Sequence, residues 1–237
     1  MALLLVAGAG LGVWQWGLSQ PVSSVEVLGT THADPDSLRA LARLDTTLTL
    51  RDASPRIMEG RLARHPWVHR ATVTRWPTGA VVARVTERTP VALMLDDRGR
   101  PAFYLDAHGF QMPPVKGHTY DVPLLRGFTG PQHPTRPAED AVLRAMLHTL
   151  ATAPPAIDAL LADLEQRADG DVWLHTAPIG SHGSLAVRLG QEAFTARLHR
   201  LHAFIEQAVR TQPDQQFASV DLRFAEQIVA RQAPRGP

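Results

Sequence analysis

Residues 68–87 read VHRATVTRWPTGAVVARVTE. Residues 68–75 predict a strand, and residues 80–87 predict the strand that returns beside it. Trp76-Pro77-Thr78-Gly79 between them is a turn, with Pro and Gly where special backbone angles are needed. Pro90 closes the pair. Upstream, Asp34-Pro35 is a helix start, with a carboxylate at the N-cap and Pro where no N–H is needed. Leu38, Leu41 and Leu44 then fall on one helical face. Ser54-Pro55 repeats the signal and predicts a second helix to about residue 64, burying Ile57, Met58 and Leu62. His65-Pro66 stops it. Residues 22–28 alternate, with Val25 and Val27 set against Ser24 and Glu26, so they read as a half-buried strand ended by Gly29. The order is strand, helix, helix, strand, strand. Two helices on one face of three strands make a self-sufficient α+β unit over residues 21–90.

The rest of the chain reads as a second unit, residues 91–231, with a mixed β-sheet and flanking helices. Residues 103–110 predict strand, turn, strand. Residues 111–137 are a Pro- and Gly-rich loop in which Leu124 and Leu125 turn into the core. Residues 138–151 predict a helix with Val142, Ala145, Met146 and Leu150 on one side. Residues 156–167 are ambiguous: Ile157, Leu160, Leu161 and Leu164 fit helical spacing, yet a strand must soon follow. Asp169-Gly170 is a hairpin signal, with residues 172–176 as the return. Residues 184–189 predict another strand. Residues 192–209 predict an amphipathic helix, with Phe194, Leu198, Leu201, Ile205 and Val209 three or four apart. Residues 219–224 and 228–230 predict two last strands, and residues 232–237 a tail.

Composition narrows the function classes. The chain has 237 residues, 44% hydrophobic and 20% charged, with a net charge of +1. That is ordinary for a folded protein and gives no global field to attract nucleic acid. Lys116 is the sole Lys, and the arginines are scattered rather than set in a phosphate-tracking stripe. With no Cys, disulfides, thiolate metal sites and cysteine nucleophiles are excluded.

Residues 2–13 are apolar or Gly throughout, and Trp14 and Trp16 follow. As a helix to Leu18, the stretch would be about 25 Å long at about 1.5 Å per residue, slightly short of a bilayer core of about 30 Å. The two Trp suit a membrane–water interface. A cleaved signal peptide is the rival reading; it wants a basic start and a cleavage site. No Lys or Arg precedes the run and nothing convincing marks such a site, so the preferred expectation is that residues 1–20 form an uncleaved single-pass anchor. The missing basic flank is expected on a short cytoplasmic head preceding Met1.

Catalytic chemistry is weakly signalled. His199 and His202 lie three apart on the 192–209 helix, but the two-His, one-Glu zinc helix is absent. They read as surface residues of an amphipathic helix. Gly180-Ser181-His182-Gly183-Ser184 lacks the spacing of a nucleophile elbow. The glycines of residues 8–12 sit inside the apolar run with no strand before them. Asp96, Asp97 and Asp106 sit at turns, where Asp is expected for backbone reasons. Trp67 and Trp76 read as core or turn-packing residues. Asp221 and Arg223 flank Leu222 and so share a strand face, either as a structural ion pair or as a contact surface. No enzyme activity, cofactor, metal or small-molecule substrate is expected.

Three runs carry a resemblance: Arg64-His65-Pro66-Trp67-Val68, Ala71-Thr72-Val73-Thr74-Arg75-Trp76-Pro77, and Val85-Thr86-Glu87-Arg88-Thr89-Pro90-Val91-Ala92. They resemble the POTRA signature of the FtsQ/DivIB division proteins. The later Phe103-Tyr104-Leu105-Asp106-Ala107-His108-Gly109 and Ser219-Val220-Asp221-Leu222-Arg223-Phe224 resemble that family's β domain in matching order. The resemblance implies a non-enzymatic, membrane-anchored divisome scaffold at the septum, with most of the chain periplasmic. It implies binding of the bitopic proteins FtsB and FtsL by β-augmentation, in which a partner segment pairs with an open sheet edge. Residues 224–230 are the expected edge. The matching positions are Arg223, Phe224, Glu226, Gln227 and Ile228, with Gln191 where the family's model member has Arg. That member also has small residues at the places of Gln227 and Ile228, and an acceptor hydroxyl at that of Glu226. Ser54 stands at an apolar family position. In the POTRA module, Arg70, Val73 and Arg75 match the part linked to recruitment to the division site, with FtsK as a further partner. The alternatives are an outer-membrane assembly or secretion factor that carries a POTRA module, for which the stretch after Pro90 is short, and a periplasmic cell-wall hydrolase.

Overall fold

The computed structural model describes residues 20–131, 133–212 and 215–233. Two compact units divide between Arg88 and Thr89. Among the described residues no helix is long and apolar enough to cross a membrane. The apolar run with Trp14 and Trp16 lies outside the described residues.

The first unit runs β1 (Ser24–Leu28), α1 (Pro35–Ala42), α2 (Pro55–Leu62), β2 (Val68–Arg75) and β3 (Ala80–Glu87). β3 is central, parallel to β1 and antiparallel to β2. α1 begins as the sequence predicts: Pro35 fills the first turn and the Asp34 carboxylate accepts from the Ser37 N–H at 2.8 Å. α2 begins at Pro55, although Ser54 makes no side-chain cap. Val73, Val81, Ala83 and Val85 point one way and are buried with Leu38, Met58 and Leu62. Arg70, Thr72, Thr74 and Arg84 point the other way and are exposed. The period of two thus gives the sheet one covered face and one open face.

Glu87, at the end of β3, ties the loop before α1 into place. Its Oε1 accepts from the N–H groups of Thr31, His32 and Ala33 at 2.9, 2.9 and 2.8 Å. Its Oε2 meets the His32 ring Nδ1 at 2.7 Å. That ring stacks on Trp67, 4.8 Å between centroids, and Trp67 is only 1% exposed. The family-like Trp67 and Glu87 are therefore framework residues. Trp76 is not: it sits at the hairpin turn with 54% of its surface exposed, so the expectation of a packed side chain fails there.

The second unit holds one mixed sheet of nine strands. They are β4 (Ala92–Leu95), β5 (Pro101–Leu105), β6 (Gln111–Met112), β7 (Leu124–Arg126), β8 (Leu161–Gln166), β9 (Val172–Thr176), β10 (Ala186–Gly190), β11 (Phe217–Asp221) and β12 (Val229–Gln232). Their spatial order is β12-β11-β10-β9-β8-β7-β4-β5-β6. Three helices are added: α3 (Ala141–Thr152), the short α4 (Pro155–Asp158) and α5 (Phe194–Phe204), which continues as a π-helical turn over Ile205–Val209.

One row of the sheet passes through Met94, Leu125, Leu164, Leu174, Val187, Val220 and Ala230, each directly paired with the next. This row belongs to the apolar core with Leu143, Met146 and Leu147 of α3 and Leu198 and Leu201 of α5. The opposite face carries the row Arg126, Glu165, Trp173, Arg188, Asp221 and Val229.

Several expected bounds move. α3 starts at Ala141 because Asp140, not a residue before 138, caps it by accepting from the Leu143 N–H at 2.7 Å. The ambiguous 156–167 stretch resolves into one helical turn and then β8 from Leu161. The 111–137 loop contains β7, which lies mid-sheet between β4 and β8. β11 stops at Asp221, three residues short of the expected 224, and β12 lies at 229–232, so Gln232 belongs to a strand and not to the tail.

Candidate partner-binding edge

β12 is the outermost strand at one side of the nine-stranded sheet. It is antiparallel to β11, with Val229 opposite Asp221, Ala230 opposite Val220 and Arg231 opposite Ser219. The Ala233 N–H donates inward to the Gln216 carbonyl at 2.9 Å. Backbone groups alternate along an antiparallel strand, so Val229 and Arg231 also pair inward. By the same alternation Ala230 and Gln232 turn their N–H and C=O outward. Among the described residues no strand covers that side. An unpaired edge of this kind is a template for another extended chain.

The edge is shorter than the expected 224–230, for a physical reason. Arg200, on α5, directs its Nη2 at the carbonyls of Leu222, Phe224 and Gln227, at 3.3, 2.7 and 3.2 Å. The guanidinium gathers residues 222–227 into a loop and takes carbonyls that a strand would use. Phe224 and Glu226 are exposed on this loop, Phe224 to 44%. Ile228 is half-buried against the core. Glu226, Phe224 and Gln227 are therefore beside the edge and not in it.

Arg223 follows β11 and is tied down. Its Nη2 lies 2.8 Å from Asp221 Oδ2 and its Nη1 3.2 Å from Asp171 Oδ2. Arg188 meets the same Asp171 at 2.6 Å and Asp169 at 2.7 Å. Gln191 joins them, its Nε2 donating to Asp171 Oδ1 at 3.3 Å and to the Asp169 carbonyl at 3.2 Å. The structure thus brings Arg223 and Gln191 together around Asp171, at a shallow depression of about 450 Å³ that Arg197 also lines. Partial burial pushes the Asp221 carboxyl up, but the hydrogen bonds and charge of Arg223 outweigh it and hold it below its ordinary 3.8. The hydrogen bond to Asp221 raises Arg223 above its ordinary value. Of the two readings of this pair, the geometry is that of an ion pair.

The recruitment residues do not form one surface. Arg70 is exposed on the open face of the first sheet. Val73 is buried at 5%, and its N–H donates to Glu59 Oε1 at 2.8 Å. Arg75 is half-buried and donates to the Leu50 carbonyl at 2.5 Å. Alternation along β2 separates them from Arg70. Arg197, Arg200, Ala230 and Arg231 were not singled out in the sequence. Arg197 and Arg200 stand three apart on α5, a spacing that puts both on one face, and that spacing was the available signal. Among the described residues no group of three or more His, Asp or Glu could hold a metal ion.

Fold and edge define a class: a POTRA-type unit followed by a mixed-sheet domain that ends on an open strand. Comparison with known proteins sharpens it. A family model described as "POTRA domain, FtsQ-type" matches residues 20–88, and one described as "FtsQ/DivIB, C-terminal related" matches residues 89–231. A cell division protein FtsQ of Rhodothermus marinus is 49% identical over 92% of this chain and 80% of its own length. That of Salinibacter ruber is 42% identical over 98% and 91%. That of Myxococcus fulvus is 28% identical over 83% and 71%. The chain belongs to the FtsQ/DivIB family of cell division proteins, a family of scaffolds, and its place is in the division machinery.

Proposed function

We propose that this chain is a non-enzymatic scaffold of the divisome, anchored in the inner membrane by its N-terminal stretch, that captures extended periplasmic segments of FtsB and FtsL along β12. The observation that carries the reading is the outward pair of backbone donors and acceptors at Ala230 and Gln232. A partner strand placed there would extend a sheet whose register is already fixed by eight strands behind it. FtsK is a further partner, and Arg70 with its exposed neighbours Thr72 and Thr74 is the surface assigned to recruitment. Val73 and Arg75 serve it by holding β2 in place. The names of the relatives favour this reading over an assembly or secretion factor.

The test is Ala230→Pro. Pro at this position removes an outward donor and no ladder bond inside the protein. Ile228 lies just before the strand and is the poorer site for the same change. We expect capture of FtsB and FtsL to fall about tenfold or more, the loss of roughly one to two hydrogen bonds at a desolvated edge, with the thermal melt unchanged. Undiminished capture by the folded variant contradicts the proposal.

A further inference from the structure

The side chains of β12 define what a tenth strand would meet. On the helix-covered face the core row ends on Ala230, a small residue. Ile228 lies on the same face, and Phe217 and Phe204 stand partly buried nearby, their rings edge to face at 5.4 Å. These apolar groups, like Ala230, are only partly buried. On the open face, one row ends on Val229, 39% exposed, and the next ends on Arg231, also exposed.

The arginines deeper in this face have carboxylate partners. Arg126 pairs with Asp163, Arg167 with Glu165, and Arg188 with Asp169 and Asp171. Arg223, beside the edge, pairs with Asp221 and Asp171. Arg231 has no carboxylate partner among the described residues. The family-like Arg223 is thus already neutralised within the chain, and Arg231 is the cation presented at the margin.

We infer that the partner segment carries an acidic, an aliphatic and an apolar side chain in succession, read beside Arg231, Ala230 and Val229 respectively. This rests on the edge-strand reading above and specifies its ligand. Directly opposed side chains on one sheet face lie about 4.5–5.5 Å apart, where opposite charges and apolar pairs are favourable. The aliphatic residue continues the core row past Ala230, and the other two face away from the helices. A second copy of this chain fits less well. Antiparallel pairing about Ala230 would set Val229 of one copy against Arg231 of the other and leave both guanidinium groups without an acid.

The test uses the full chain in mild detergent and two synthetic peptides. One carries Glu-Ile-Val between Ser/Thr flanks, and the other replaces the Glu with Lys. Binding is followed by the amide resonance of Gln232, which every variant retains. The Glu peptide is expected to bind about fivefold tighter, and Arg231→Glu to reverse the order, as an exposed cross-strand charge pair allows. An unchanged Glu-to-Lys ratio in Arg231→Glu overturns the triplet. If Ala230→Pro then abolishes binding of both peptides, the edge reading survives that result; if Ala230→Pro leaves both unaffected, the edge reading falls as well. Dimerisation of the chain through β12 that Arg231→Glu strengthens would put a second copy there and also overturn the inference.

Discussion

Glu87→Ala should strip the N-terminal unit of a large share of its stability. The carboxylate receives three backbone N–H groups and one imidazole, with its side chain only 10% exposed. Hydrogen bonds to a charged group are worth about 1.5–3 kcal/mol each, and donors left buried without an acceptor add a penalty. Allowing for water reaching part of the loop, the loss is about 4 kcal/mol. A unit of this size has a total of about 3–10 kcal/mol at 0.05–0.15 kcal/mol per residue. The melting temperature should fall by about 15 °C or more. Glu87→Gln keeps one acceptor oxygen and should lose about half as much. The same cage fixes the acid response. Burial pushes Glu87 up, but the N–H groups of Ala33, His32 and Thr31 and the His32 ring outweigh it, so its pKa lies below the ordinary 4.5. The stability it supplies is complete above 4.5 and is lost as pH falls through the folded value. Burial lowers His65 against the pull of Glu87 and Asp34, so its contribution begins to fade below its ordinary 6.5. Acid unfolding should therefore start gently below about pH 6.5 and steepen below about pH 4.5. Circular dichroism melts across that range check both points, and a flat profile to pH 4 contradicts the account.

Arg197→Met should destabilise the second unit by about 3 kcal/mol and loosen the loop beside the edge. Arg197 is 9% exposed and donates to the carbonyls of Leu189 and Glu192 at 2.5 and 2.6 Å, with Arg223 O at 3.5 Å. Among the described residues no carboxylate is in hydrogen-bond reach; Glu192 Oε1 stands 4.0 Å away on a side chain 84% exposed. The charge is solvated by carbonyls, and Met would fill the space while leaving those carbonyls unpaired. The site is tightly shaped. A Cβ on Gly190, which has φ +78°, would come within 2.8 Å of Arg197 Nη1 and 3.1 Å of Arg223 Cγ. The melting temperature of this larger unit should drop by about 10 °C. The amides of residues 222–227 should exchange faster even well below the melt. A melt shifted by less than about 2 °C would show that the carbonyl cage contributes little.

What could be read in the sequence follows from locality. Asp34-Pro35, the Trp76 to Ala80 turn and Asp169-Gly170 specify their structure within a few residues, and each element formed where expected. β7 could not be read that way. It is three residues long, lies among prolines and glycines, and exists because parallel neighbours β4 and β8 hold it from both sides. The end of β11 was misplaced because Arg200 bends residues 222–227 away, and that guanidinium is more than twenty residues distant in sequence. Which strand lies outermost is a matter of topology, so the open edge was found near its place but with the wrong bounds. Val73 was assigned to a surface although the same alternation that exposes Arg70, broken by a bulge near residue 69, buries it.

Amide hydrogen exchange along β12, with and without the periplasmic segments of FtsB and FtsL, probes the edge one residue at a time. In the free chain Val229 and Arg231 should already be slow, and Ala230 and Gln232 fast. Partner addition should slow Ala230 and Gln232 and leave Val229 and Arg231 as they were. Partner binding with Ala230 and Gln232 still exchanging freely would show that the partner docks elsewhere, and would end the account of β12 as the capturing strand.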